Sequence, residues 1–281
     1  MGSEPTGSRD ATGADGDVSN AEREAHLERS RKVWNRWSDW YAMSERDFEP
    51  IREAAIDHLD LRPGDLVLDV GCGPGVNFEP ILRAIGEDGR LVAVDYSPAM
   101  VAKARDRIDR QGWENVEVRR ADATTVAFDE RFDAAVATLS MSVMPDVRLA
   151  VENVHRLLVP GGSFVVFDLG VVSAGPARVA NPFLRWFLRW YANWNPDGDV
   201  DESLRAVFDE RETVATYAAG IGYTVRCRKA LDQDGGVDAG ARDDPGVGGD
   251  PDVGVDPGVG DDPDVGVDPG IDADSTARDD R

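Results

Sequence analysis

The residues with the clearest chemical potential lie between positions 69 and 75. Asp69-Val70-Gly71-Cys72-Gly73-Pro74-Gly75 follows an apolar run and opens a helical pattern. Glycines at such a turn let the backbone bend sharply and approach a ligand without Cβ clashes. The third glycine falls two positions after the second, whereas a dinucleotide fingerprint needs it three after, where this chain has Val76. That spacing disfavours a pyrophosphate cradle and favours a ligand without phosphate. Twenty residues beyond Gly75, at the end of the next apolar run, stands Asp95, placed to accept two hydrogen bonds from the vicinal hydroxyls of a ribose. Asp122 follows a third run and is placed to accept from an exocyclic amine. Together the three points describe an adenosine with a polar, non-phosphate extension.

Holding these groups together requires strands that end side by side. Candidate strands are 65–70, 90–95, 115–120, 132–138 and 163–169, rich in Val, Leu and Ala on both faces. Helical patterns over 48–59, 77–85, 98–110 and 146–158 separate them, with Ser97 as N-cap and Pro98 at the first helical position. Alternation of this kind predicts a doubly wound, mostly parallel α/β sheet covered on both faces, with its ligand beyond the strand C-termini.

In these segments the chain resembles class I S-adenosylmethionine-dependent methyltransferases, specifically the small-molecule group that includes quinone- and lipid-methylating enzymes. The matching stretches are 67–75, 91–104, 120–123, 132–138 and 151–168, the last including Val159-Pro160-Gly161-Gly162-Ser163 as the turn before the fifth strand. The resemblance implies S-adenosylmethionine as cofactor and a Rossmann-like fold. It would put Asp69, Gly71, Cys72, Gly73 and Gly75 at the methionine end, Asp95 with Tyr96 at the ribose, and Asp122 with Ala123 at the adenine. Thr138 and Leu139 would close the floor. A nicotinamide-dependent oxidoreductase and a non-catalytic S-adenosylmethionine-binding protein are the competing readings, the first disfavoured by the glycine spacing.

Methyl transfer from a sulfonium asks mainly for alignment and exclusion of water. No catalytic base is assigned. His26, His58 and His155 fall in helical patterns, and the loop after the fourth strand reads Thr138-Leu139-Ser140-Met141-Ser142-Val143-Met144 without histidine. Two aromatic clusters flank the matching core. Trp34, Trp37, Trp40 and Tyr41 precede the first strand, where Trp37 or Tyr41 could face the site as part of a lid. The second, 183–194, lies in an insertion spanning about 171–205, its rings spread around a helix rather than along one stripe. Arg185, Trp186, Arg189 and Trp190, with Met141 and Met144 as an adaptable floor, are read as a greasy acceptor wall or a peripheral membrane-surface helix. The expected substrate is a small, lipophilic molecule such as a prenylated quinone or a lipid.

The chain of 281 residues carries a net charge of −23, unevenly spread. Residues 1–20 and 232–281 contribute −3 and −13 and read as disordered tails, the second built on Asp-Pro-Gly-Val repeats. Residues 21–231 suit one methyltransferase domain. Lys occurs only at 32, 103 and 229 against 28 Arg, a composition read as adaptation to concentrated salt. Such acidity opposes nucleic-acid binding. Two Cys fit a reducing, cytoplasmic setting and provide no Cys-rich metal site. A helix is expected over 209–219 and a sixth strand over 223–230; because no further alternating run remains, the sheet is expected to lack its last strand.

Overall fold

The structure is a computed structural model describing residues 22, 24–33, 35–36, 48–172, 175–195 and 199–231. They belong to one structural unit, Met1–Gly235. The expected tails, and Trp34, Trp37, Trp40 and Tyr41, lie outside the described residues.

A helix over 24–33 (α1) is followed by α2 (Glu49–Asp57), β1 (Leu66–Val70), α3 (Phe78–Ile85), β2 (Arg90–Asp95), α4 (Pro98–Gln111), β3 (Val116–Arg120) and β4 (Phe132–Thr138). Then come α5 (Val147–Leu157), β5 (Leu158–Leu169), α6 (Asn181–Ala192), α7 (Val200–Val207), β6 (Glu210–Tyr217) and β7 (Gly222–Arg228). The strands form one seven-stranded sheet in the order β3-β2-β1-β4-β5-β7-β6. β1 to β5 are parallel, and β7 pairs antiparallel with both β5 and β6. The order reverses beside β1, which opens a crevice at the strand C-termini.

Because side chains alternate along a strand, each central strand feeds two cores. Leu68, Val92, Val94, Ala135 and Phe164 pack on one face with α5 and α7. Val67, Leu91, Ala93, Val136 and Phe167 pack on the other with α2, α3 and α4.

Three expectations are corrected. Residues 210–217 form a strand, not a helix, so the sheet is complete: the strand read as the sixth is β7, inserted between β5 and its hairpin partner β6. The Pro-Gly-Gly segment is not a turn ahead of β5 but lies within it. Leu158 already pairs with Phe132, and the register then shifts before Ser163 meets Ala134, with Gly161 at φ +79°. Along α6 the exposed rings of Phe183, Trp186, Phe187 and Trp190 recur every three or four residues and so share one stripe.

Candidate functional site

The loop leaving β1 continues the ladder with β2 for two more residues. The Gly71 and Cys72 amides both donate to the Val94 carbonyl, at 2.8 and 3.0 Å. Gly71 has φ +70°, and a Cβ there would stand 2.5 Å from that of Ser140. Gly73, at φ +55°, would place a Cβ in open space, with nothing within 4 Å. Gly71 therefore permits close packing, and Gly73 keeps a cradle open.

Asp95 closes one side of that cradle. Its Oδ2 accepts from the Gly73 amide at 2.9 Å and its Oδ1 from the Ser97 amide at 2.8 Å. Each oxygen retains lone-pair capacity for a further donor. Burial pushes the Asp95 carboxyl up to about 6, against the pull of those two amides, so it is ionised at neutral pH. Ser97 caps α4 through Oγ, which accepts from the Met100 amide at 3.3 Å, and the same hydroxyl donates to Asn35 Oδ1 at 2.8 Å.

The remaining walls come from the ends of β3 and β4 and from α1. Asp122 Oδ1 accepts from the Thr124 amide and hydroxyl, at 2.9 and 2.7 Å, which fixes the turn that presents Asp122 and Ala123. Asn153 of α5 holds the same loop by donating to the Ala123 and Val126 carbonyls, at 2.8 and 2.9 Å. After β4, Leu139 adopts φ +55°, and the Ser140 hydroxyl donates to the Val70 carbonyl at 2.7 Å. Asp168, buried at the end of β5, accepts from the Ser142 amide and hydroxyl at 2.8 and 2.6 Å, and from the Leu169 amide at 2.7 Å. Those bonds pin the Met141–Val143 turn.

The pocket has about 800 Å³ of free space, counting the solvent in its open mouth. Gly71, Gly73, Asp95, Tyr96, Asp122, Ala123, Thr138 and Leu139 all line it, as does Met144. Sequence reasoning missed Leu27, Ser30 and Arg31, by which α1 covers the mouth, and Ser97, Met100 and Ser140. Ser97 carried a signal, its capping position; α1 carried none tying it to this crevice.

Other expected residues fall elsewhere. Asp69 is fully buried one layer behind the pocket, sharing the face of β1 that meets α3. Both its oxygens accept from Asn77 Nδ2 at 3.2 Å, and Asn77 in turn donates to Thr138 Oγ1 at 3.0 Å. Burial pushes the Asp69 carboxyl up to about 7, opposed by the Asn77 amide. Cys72 and Met141 are core residues, and burial raises the Cys72 thiol far enough to keep it protonated. Gly75 packs under Phe78. Arg185 lines a second cavity with Trp194, Asp199, Asp201, Arg211 and Tyr223, its guanidinium 5.9 Å from the Trp194 ring centroid. Trp186, Arg189 and Trp190 border a shallow groove on the outside of α6. None of the four reaches the pocket.

Residues 67–162, the span that builds this pocket, match the family described as "Methyltransferase domain". That span is a methyltransferase domain, on the doubly wound sheet of the class I, S-adenosylmethionine-dependent fold. Its cofactor is S-adenosylmethionine, and the open cradle at Gly73 beside the Asp95 oxygens fits a nucleoside of that kind. The methyltransferase domain is similar over 163 residues to a phosphatidylethanolamine N-methyltransferase of Cereibacter sphaeroides, at 29% identity over 57% of this chain and 78% of that protein. It is also similar to a 2-phytyl-1,4-naphtoquinone methyltransferase of Thermosynechococcus vestitus, at 30% identity over 48% of this chain and 59% of that protein. The chain spans less than half the length of three other curated relatives, between 29% and 41%. Among solved structures, the [4+2]-cyclase SpnF shares the fold with a TM-score of 0.50 at 23% identity, covering 65% of this chain and 81% of that one.

Proposed function

We propose that this chain transfers a methyl group from S-adenosylmethionine to a small lipophilic acceptor of quinone or lipid type. One observation carries the reading: a half-buried carboxylate with spare acceptor capacity, Asp95, shares a pocket with an apolar mouth of Leu27, Met100, Val143, Met144 and Pro145.

Bound S-adenosylmethionine would supply an activated methyl group on a sulfonium. The chain's own work is then placement and drying. Asp95 would accept from both ribose hydroxyls, held in register by the Gly73 and Ser97 amides. Gly71 and Gly73 would line the methionine end, Asp122 and Ala123 the base, and Thr138 and Leu139 the floor. Tyr96 lies beside Asp95 on the sugar side. Asp69 acts as a positioning residue, orienting Thr138 through Asn77. Helix α1 excludes water over the mouth, held by Asn193 Nδ2 donating to Ser30 Oγ at 2.7 Å and by the contact of His26 Nε2 with the Val143 carbonyl at 3.0 Å.

Among the described residues, no histidine lines this pocket. The reading therefore favours an acceptor atom that needs no strong base, or one acidic enough to ionise unaided. The two relatives named for a phospholipid and a naphthoquinone support an apolar acceptor. A second reading, cofactor binding without methyl transfer, is favoured by the cyclase that shares the fold.

Isotope-labelled methyl transfer into a whole-cell lipid and metabolite extract tests the proposal. Label in the organic phase is the expected result. Label confined to polar metabolites or RNA overturns the acceptor class, and calorimetric binding with no transfer at all favours the second reading.

A further inference from the structure

Outside the pocket, five of the six large hydrophobic side chains exposed among the described residues lie on and just before α6. Val179, Phe183, Trp186, Phe187 and Trp190 are 87%, 67%, 60%, 38% and 64% exposed. Their rings order one another: Phe183 and Trp186 have centroids 5.7 Å apart, and Trp186 and Trp190 lie nearly parallel at 6.4 Å. The opposite side of the helix is committed inward through Leu188, which is buried. Exposed patches of this kind mark contact with a partner or a membrane.

Charge says which. Residues 170–196 contain Arg178, Arg185 and Arg189 and no Asp or Glu, in a chain whose net charge is −23. Arg185 and Arg189 stand one turn apart along one border of the aromatic stripe, around a groove that also includes Pro182, Trp186 and Trp190. A two-fold pairing of α6 with a second copy would bring arginine to arginine, with no acid in residues 170–196 to answer them. No described helix is long and apolar enough to cross a membrane. Aromatic residues on one face with arginines beside them suit a helix lying in the plane of a lipid interface.

We propose that α6 docks on the surface of a bilayer containing anionic phospholipid, its rings entering the boundary between headgroups and acyl chains while Arg185 and Arg189 meet the phosphates. The acidity of the remaining chain confines the contact to this face. The segment just beyond α6 is tied to the pocket mouth: Asn195 donates from Nδ2 to the Met144 and Pro145 carbonyls at 3.0 and 3.1 Å, and from its amide to Ser142 at 2.8 Å. Docking would therefore bring the mouth of the pocket toward the lipid. The proposal stands whichever acceptor is methylated.

Co-sedimentation of the full chain with phosphatidylglycerol–phosphatidylcholine vesicles tests it, under salt conditions where circular dichroism shows a folded chain. Partitioning that rises with the phosphatidylglycerol fraction is expected. Trp186→Glu with Trp190→Glu should lower it at least tenfold with the far-UV spectrum unchanged. Arg185→Glu with Arg189→Glu should remove the dependence on phosphatidylglycerol. Absence of vesicle binding, equal binding by the tryptophan double variant, or a solution dimer that this variant dissolves would each overturn the proposal.

Discussion

The crevice at the ends of β1 to β4 and the segment after β5 use similar residues in opposite ways. At the crevice, apolar side chains point into the sheet, and polar ones are spent on one another: Asp95 on two amides, Asp168 on Ser142, Asp69 on Asn77. On α6 the large rings face outward with no internal duty. The difference teaches where function is stored. In the crevice it is stored as satisfied polar geometry that is expensive to disturb, because a buried group left without its partner bears the full desolvation penalty. On α6 it is stored as a surface whose removal should cost the fold little.

The sharpest way to break that contrast is at Asp95. Asp95→Ala removes the carboxylate that would accept from the ribose, two charge-assisted bonds worth about 1.5–3 kcal/mol each. A loss of about 10²–10⁴-fold in S-adenosylmethionine affinity is expected by calorimetry. A change below threefold would mean that the nucleoside sits elsewhere. Asp168→Ala tests the same idea through stability. It orphans the Ser142 amide and hydroxyl and the Leu169 amide. The expected cost is about 3 kcal/mol, which thermal denaturation would register as a fall of roughly 6–12 °C.

The two glycines separate packing from cradle. Gly71→Ala drives a Cβ to 2.5 Å from Ser140 at a positive φ, and should destabilise by about 2 kcal/mol. Gly73→Ala meets nothing in the protein. It should cost stability only the backbone strain of about 1 kcal/mol, yet weaken cofactor binding about tenfold by filling the cradle. Equal effects of both changes on melting and on binding would erase the distinction.

Much of the crevice was legible before the structure because its signals are local. A parallel strand buried on both faces must be an apolar run, and β2 and β4 begin and end where those runs do. Asp95 and Asp122 end their runs, and Ser97-Pro98 announces a helix start. What was not legible depends on tertiary placement. β6, Glu-Arg-Glu-Thr-Val-Ala-Thr-Tyr, is an edge strand largely open to solvent, so it shows no apolar alternation, although its Thr, Val and Tyr residues favour strand. Asp69 looks like a ligand from its place in the turn, but its parity along β1 sends it behind the pocket, where α3 and Asn77 meet it. The cover of Leu27, Ser30 and Arg31 arises from a helix far from the motif in sequence. The four residues of α6 read as an acceptor wall have the right chemistry for apolar contact and the wrong address for this pocket.

Two carboxyls make the crevice sensitive to pH in opposing ways. Cofactor binding needs Asp95 as an acceptor, so affinity should be level above neutrality and fall toward tenfold per pH unit below about 6. Stability of the cofactor-free chain runs the other way. The folded-state pKa of Asp69 is raised to about 7, so its contribution is fully present below the carboxyl's unfolded value and is lost as pH rises through 7. Asp69→Asn should flatten that loss in a series of denaturation curves from pH 5 to 8, while leaving the acid limb of the binding curve in place. Loss of the acid limb in this variant would reassign the titration to Asp69.

The smallest expected effect is the other half of the comparison. Trp186 is 60% exposed and its ring contacts are with Phe183 and Trp190 on the same helix. Trp186→Ser removes a large apolar surface that the fold does not use, and it relieves water of the need to solvate it. Its effect on unfolding should stay within about 0.5 kcal/mol. Phe167, fully buried among the strands and the α2 side of the sheet, would cost about 3–5 kcal/mol on truncation to Ala. Side chains of similar size and apolarity thus differ several-fold in what they give the fold, and the side chain that gives little is the one free to serve an external contact. If Trp186→Ser unfolded the chain as Phe167→Ala does, α6 would be a structural clamp and its exposed stripe would have no claim to docking.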